Sequence, residues 1–167
     1  PLHNPANING IREAQRVLPF VPHVAVFDTA FHQTLPSYAY LYGLPYEYFE
    51  KHGVRRYGFH GMSHWYVSLA VSQHLKRRPN ELEIVSCHLG DGASVCAVDH
   101  GRSMDTSMGF TPCEGLIMET RSGDVDPGVF AFLERTEGLN AAQIEELLNT
   151  KSGLLGISGI SGDIREI

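Results

Sequence analysis

An α/β fold is predicted by two patterns in the sequence. Apolar residues recur at helical spacing in four stretches, and short β-leaning segments separated by tight turns fill residues 83 to 110. With 167 residues, 43% apolar and 19% charged, the chain can bury a core of ordinary domain size.

The first helix is expected from about Gly10 to Leu18, where Ile11, Ala14, Val17 and Leu18 share a face and Pro19 stops it. His23 to Phe27 reads as a short buried strand. Asp28 stands at its end, where acidic side chains of α/β enzymes often meet ligands. Short helices are expected in the Tyr- and Pro-rich stretch from Phe31, of which Tyr46 to His52, closed by Gly53, is the clearest. Ser63 is expected to cap a longer helix to Lys76, buried through Val67, Ala70, Val71 and Leu75. Glu83 to Leu89 reads as a strand, Asp91-Gly92 as a hairpin turn and Ala93 to Val98 as the returning strand. After a turn at Asp99-His100-Gly101, Arg102 to Phe110 completes an antiparallel meander. Asp126 and Pro127 open a helix with a buried stripe of Val129, Phe130 and Leu133, ended by Gly138. Asn140 and Gln143 form a capping box for a helix carrying Ile144, Leu147 and Leu148, and from Ser152 the chain is a Gly and Ser run.

Charge narrows the function classes. A formal charge of −6 argues against a nucleic-acid surface, and the one basic cluster, Lys76-Arg77-Arg78, reads as a solvated helix end. No apolar run approaches the ~20 residues of a membrane span, and no leader opens the chain, so a soluble cytoplasmic protein is expected. Cys87, Cys96 and Cys113 form no CxxC pair and are expected to be buried free thiols in a reducing compartment. The chain starts at Pro1 without an initiator Met and stops at Ile167 in mid-pattern, and so reads as an excerpt.

Glycine turns carry the candidate chemistry. His88-Leu89-Gly90-Asp91-Gly92-Ala93-Ser94 places two glycines where backbone N–H groups could approach a phosphate; an ordinary Asp-Gly hairpin is the alternative. The run from Ser152 to Asp163 is either a second phosphate-facing turn or a flexible loop. Arg121, among small residues and acids, could clamp carboxylate or phosphate oxygens, or pair with Asp124 or Asp126. His60 and His64 have the spacing of a helical metal pair. Gly61 and the expected cap at Ser63 place His60 before the helix, however, and no HExxH Glu follows, so zinc is disfavoured. GxxxxGK[ST], GxGxxG and GxSxG are absent.

Six ordered segments, PLHNPANINGI, VFDTAFHQTLP, RYGFHGMSH, HLGDGAS, DTSMGFTPCEGL and SGLLGISGISGDIR, together resemble the acetate kinase (acetokinase) family over nearly the whole chain. The resemblance implies the acetate and sugar kinase/Hsp70/actin fold, two ribonuclease-H-like lobes with ATP between them, here incomplete. Residues 1–31 would end the N-terminal lobe and hinge, and residues 32–167 would begin the C-terminal lobe, with the phosphate-binding meander at 83–110. It further implies reversible, Mg²⁺- or Mn²⁺-dependent in-line transfer of the ATP γ-phosphoryl group to acetate, in an enzyme that tends to be a homodimer. Asp28 would orient the metal and reacting groups, and His60 and Arg121 would stabilise charge on the phosphoryl group in flight. His88, Leu89, Gly90, Asp91 and Gly92 would form a phosphate loop, and Asp163, Ile164 and Arg165 would touch the nucleotide. Leu2, Phe59 and Pro112 would line a methyl-sized pocket, which leaves propionate or butyrate as alternative acceptors. A non-catalytic nucleotide-binding lobe is a further alternative.

Two positions depart from the family pattern. Asp91 replaces the usual Asn, and a carboxylate beside a polyphosphate predicts an altered donor or metal demand, pyrophosphate included. Glu119 replaces a usual Gly and is expected either to pair with Arg121 or to block close backbone approach. The family's Asn- and Ser-bearing opening turn, second catalytic Arg and adenosine loop are not in this sequence. Little activity and an exposed apolar lobe interface are therefore expected of the chain alone.

Overall fold

A computed structural model describes residues 4–167; the expectation for Leu2 lies outside the described residues. Strands β1 (Glu83–Leu89), β2 (Ala93–Asp99) and β3 (Arg102–Thr106) form one antiparallel sheet in that order. The register runs from Glu83 opposite Asp99 to Leu89 opposite Ala93, so Gly90, Asp91 and Gly92 make the turn, closed by Gly90 N–H donating to Gly92 O at 3.0 Å. A bulge at Ala97/Val98 shifts the register of β2 against β3. β3 stops short of the expected Phe110 because the backbone beyond it bonds elsewhere. Arg56 Nη1 donates to Thr106 O at 3.0 Å and Ser107 O at 3.2 Å, and Tyr57 N–H donates to Gly109 O at 3.0 Å. A half-buried Arg56–Glu114 ion pair at 2.8 Å ties the same segment down.

Helix α1 (Asn4–Val17) begins earlier than expected and buries none of its residues. The strand expected at His23 to Phe27 is absent, and the segment has no regular secondary structure. Among the described residues no strand lies beside it to complete a ladder, and Val24 is 84% exposed. Phe20, 98% exposed, extends this bare apolar surface. A 3-10 turn (Ala30–Thr34) and short helices α2 (Ser37–Tyr40) and α3 (Glu47–His52) follow, with Gly53 closing α3 at φ 64°.

Helix α4 (Gly61–Leu75) and the 3-10 turn pack against the sheet, but through an unexpected stripe. The buried residues of α4 are Gly61, His64, Ser68 and Ser72, whereas Val67 and Leu75 are exposed. Hydrogen bonding overrides the apolar pattern here, because the facing strands present buried Ser86, Ser94 and Ser103 rather than a hydrocarbon surface. The helix also begins before the expected Ser63 cap, at Gly61, with His60 as the N-cap residue in a left-handed conformation (φ 57°, ψ 25°).

An apolar cluster of Ala93, Met108 and Met118, joined by Phe59 and Leu116, sits beneath the irregular segment 107–125. Helices α5 (Gly128–Glu137), α6 (Ala141–Thr150) and α7 (Gly153–Ser158) complete the chain. Asn140 and Gln143 form the expected reciprocal cap of α6, at 2.9 and 3.0 Å. The stripe expected to be buried on α5 is not: Val129 and Phe130 are exposed and Leu133 half-buried, since α5 packs on α6 and flanks an apolar cavity of about 780 Å³. Cys96 is buried and Cys113 half-buried, all three thiols are free, and Cys87 is exposed on the outer face of β1. Among the described residues no helix is long and apolar enough to cross a membrane.

Candidate active site

Two backbone donors at the start of α4 organise the site. His60 N–H donates to Asp28 Oδ2 at 2.6 Å, and Gly61 N–H donates to Asp28 O at 2.9 Å. Asp28 thus satisfies donors that a helix start leaves open. Gly61 permits this approach, because a Cβ there would lie 2.3 Å from Asp28 O. His32 fixes the preceding residue. Its Nε2 donates to Phe59 O at 2.9 Å while Nδ1 meets Ser103 Oγ at 2.8 Å. The imidazole of His60 is therefore aimed by its own left-handed backbone, by Asp28 and by His32.

The ring points at the β1–β2 turn. A Cβ built on Gly92 would lie 3.3 Å from both His60 Nε2 and Arg121 Nη1, so the imidazole, the guanidinium and the bare glycine backbone converge on one spot. Arg121 forms no ion pair with Asp124 or Asp126. Those carboxylates accept from Gly115 N–H at 2.8 Å and Gly128 N–H at 2.7 Å. Arg121 Nη1 instead donates to Pro112 O at 2.9 Å, which holds the fork in place without neutralising it.

The Gly and Ser run positions this arginine. Gly153 (φ 65°) brings the start of α7 against the 118–121 backbone, where a Cβ would lie 2.2 Å from Met118 O. Leu154 N–H donates to Met118 O at 2.9 Å, Leu155 N–H to Glu119 O at 3.0 Å and Ser152 N–H to Thr120 O at 3.0 Å. This part of the run is a support for the arginine loop, neither a phosphate turn nor a free loop.

Of the expected phosphate loop, Gly92 and His88 reach the centre; the His88 ring stacks on His60 with centroids 3.9 Å apart. Leu89 points away from it, 75% exposed. Asp91 lies to one side with Glu119, whose N–H donates to Asp91 O at 3.3 Å. Glu119 does not pair with Arg121. Its side chain crowds Gly162, and its carboxyl is raised above the usual range, first by Asp91 and then by slight desolvation, a hydrogen bond to Asp91 and the charge of Asp163. Asp163 pairs with Arg165 at 2.5 Å and Ile164 is exposed, so this trio flanks the site through Glu119 without touching His60 or Arg121. Phe59 packs on the Met108–Met118 cluster, and Pro112 is buried beside the arginine. Among the described residues no three His, Cys, Asp or Glu side chains are grouped to hold a metal unaided.

Burial, together with neighbouring His88, lowers His60 to about 4, against an opposing pull from Asp28. Burial, followed by His32 and His60, lowers His64 to about 4. Both rings are neutral at pH 7, and a neutral imidazole can still donate one hydrogen bond. In the unfolded chain each binds a proton near 6.5, whereas in the folded chain each binds one only near 4. Between those values the unfolded state holds more protons, so this stability is complete above pH 6.5 and is lost as pH falls toward 4. The Tm is expected to fall from pH 6.5 to 5 in calorimetric scans, above the main carboxylate range. A His64→Asn variant is expected to flatten that slope; an equally steep slope in the variant would exclude His64 as its source.

Sequence reasoning weighed His64 only as a metal ligand and Ser63 only as a helix cap, and it gave His32, Ser86 and Ser103 no part in the site, although Ser63 Oγ meets His88 Nδ1 at 2.9 Å and Ser86 and Ser103 bond His64 and His32. Their signal was the excess of Ser and His at core-facing strand and helix positions, which a hydrophobic count discards.

The fold is shared with solved structures. It matches the Porphyromonas gingivalis acetate kinase at TM-score 0.94 and 55% identity, and a Francisella tularensis propionate kinase at 0.93 and 51%. In both cases the match covers 99% of this chain and 42% of the other. The fold is accordingly an incomplete lobe of the acetate and sugar kinase/Hsp70/actin type. The Acetokinase family model matches residues 1–167, and the chain belongs to that family. It is 63% identical to the acetate kinase of Caldanaerobacter subterraneus and 62% identical to that of Thermoanaerobacter pseudethanolicus, over all 167 residues. The chain spans 42% of the length of these relatives.

Proposed function

We propose that this chain supplies the catalytic half-site of an enzyme that moves the γ-phosphoryl group of ATP reversibly onto acetate. The observation that carries this reading is the convergence of His60 Nε2 and Arg121 Nη1 on the Gly92 turn, two donors set around an anion-sized spot. In-line phosphoryl transfer needs little covalent help and much stabilisation of charge on the equatorial oxygens. Arg121 supplies a permanent positive charge. Neutral His60 supplies an N–H without a proton that could leave with product. Asp28 holds His60 through the backbone and keeps a second carboxylate oxygen free of the contact to His60 N–H.

Mg²⁺, when bound, would neutralise the donor phosphates. Mg²⁺ commonly takes one or two carboxylates plus phosphate oxygens rather than a protein cage, and Asp28 fits that role. The carboxylates of Asp91, Glu119 and Asp163 on the flank make a cation with the donor all the more necessary. The bare surface from α1 to Phe27 would face the rest of the enzyme, as the end of its N-terminal lobe.

The test is a hydroxamate assay on a full-length enzyme carrying this segment, with ATP, Mg²⁺ and a series of carboxylates. Acetate-dependent acyl phosphate formation is expected, with propionate accepted at a kcat/KM about 10- to 200-fold lower, the range one methylene commands in an apolar pocket. A kcat/KM for propionate above that for acetate would shift the reading to the activity for which the Francisella protein is named. Nucleotide binding without turnover would reduce the segment to a binding lobe.

A further inference from the structure

Behind His60 runs a continuous line of hydrogen bonds into the protein. His60 Nδ1 meets Ser94 Oγ at 2.9 Å, the same oxygen meets His64 Nε2 at 2.8 Å, and His64 Nδ1 meets Ser86 Oγ at 3.0 Å. Ser94 and His64 are fully buried and Ser86 nearly so. We infer that Ser86, His64 and Ser94 are positioning residues that form a one-way relay, locking His60 in the tautomer that carries its proton on Nε2 and offers it to the reacting phosphoryl group.

The direction follows from counting protons at the closed end. Among the described residues Ser86 Oγ has one hydrogen-bond partner, His64 Nδ1. A buried hydroxyl needs an acceptor for its proton, so Ser86 donates and His64 Nδ1 accepts. The neutral His64 then carries its proton on Nε2 and donates it to Ser94 Oγ. Ser94, occupied as acceptor and with no other acceptor in reach, donates to His60 Nδ1. The proton of His60 is left on Nε2, the atom beside Arg121 and the Gly92 turn. Run in the opposite sense, the relay would strand the Ser86 hydroxyl proton in the interior and present a lone pair of His60 to the phosphoryl oxygens. Full burial of His64 between two serine hydroxyls favours its neutral ring, which the relay requires. The serine-rich interface of α4 is thereby given a purpose that packing alone does not supply.

This inference rests on the phosphoryl-transfer reading for its consequence, but its structural core can be measured without substrate. Long-range ¹H–¹⁵N spectra of the full-length enzyme at pH 7, assigned with His60→Asn and His64→Asn, report which ring nitrogen holds each proton. Both rings are expected to show an unprotonated Nδ1 and a protonated Nε2. Ser94→Ala is expected to turn His60 into a tautomer mixture and to lower kcat about 10- to 100-fold with KM for acetate little changed, while Ser94→Thr, which keeps the hydroxyl, restores the single tautomer. Ser86→Ala, which touches only His64, is expected to disturb His60 in the same sense and more weakly. A wild-type His60 protonated on Nδ1 would overturn the relay, as would serine variants whose His60 spectrum is unchanged. An enzyme with the expected tautomers and no acetate-dependent turnover would sustain the relay and defeat the functional reading instead.

Discussion

Replacing Arg121 by alanine in the full-length enzyme is expected to lower kcat about 1,000-fold, with a much smaller change in KM for acetate. Arginines that bear on a phosphoryl group in flight contribute on this scale, because the charge they stabilise develops only as the bond breaks. Arg121 fits that role because its guanidinium has no carboxylate partner among the described residues: Pro112 O holds one nitrogen, Asp124 and Asp126 are committed to backbone amides, and Glu119 is turned toward Asp91. Lysine is not expected to substitute. Its ammonium is a point charge on a flexible stem, without the planar fork that Pro112 O anchors here through Nη1, so Arg121→Lys should retain a defect of about 100-fold. Steady-state rates and a fluorescence titration of ADP separate chemistry from binding. An Arg121→Ala enzyme within tenfold of wild type would remove Arg121 from the reacting centre.

The second large effect is on the scaffold. Gly61→Ala places a methyl group 2.3 Å from Asp28 O and 3.1 Å from Phe31 Cβ, and the first of these is backbone that cannot rotate away. In an ordinary helix interior, glycine to alanine stabilises by about 1 kcal/mol. Here the sign is expected to reverse, with a loss of about 3 kcal/mol in denaturant unfolding as the overpacked helix start is forced from Asp28. Both bonds to Asp28 would lengthen, and His60 would lose its aim, so activity is expected to fall further than stability alone explains. A variant as stable as wild type would show that the approach of Asp28 to α4 is not tight.

Local signals made much of the fold legible. The Asp-Gly turn, the paired strands on either side, the Asn140–Gln143 cap and the glycine after α3 all depend on residues near one another in sequence, and all are present. The left-handed His60 was not legible, because it is held by Asp28, 32 positions away, and no neighbour of His60 encodes it. The buried face of α4 was misread for a related reason. Val67 and Leu75 look like a core stripe until Ser86 and Ser94 on the facing strands are seen to require polar partners. His23 to Phe27 has the composition of a strand and lacks a neighbour to pair with among the described residues. At the site, the motif resemblance pointed to Asp28, His60 and Arg121; the side chains of His60 and Arg121 meet at Gly92, and Asp28 bonds the backbone of His60. The residues that orient them, His32, His64 and Ser94 among them, lie within the same motif segments, but no local pattern marks them as partners of one another.

The contact of Gly153 with the arginine loop bears on how the site is assembled. The segment 107–125 contains no helix or strand of its own, and much of its backbone order near Arg121 comes from amides at the start of α7. The hairpin and α4 can form from contacts among earlier residues and bring Asp28, His60 and Gly92 together. Arg121 is thus held by backbone far downstream of it, whereas Asp28, His60 and Gly92 are held by residues that precede the arginine loop, so the permanent charge and its anion spot rest on separate parts of the chain.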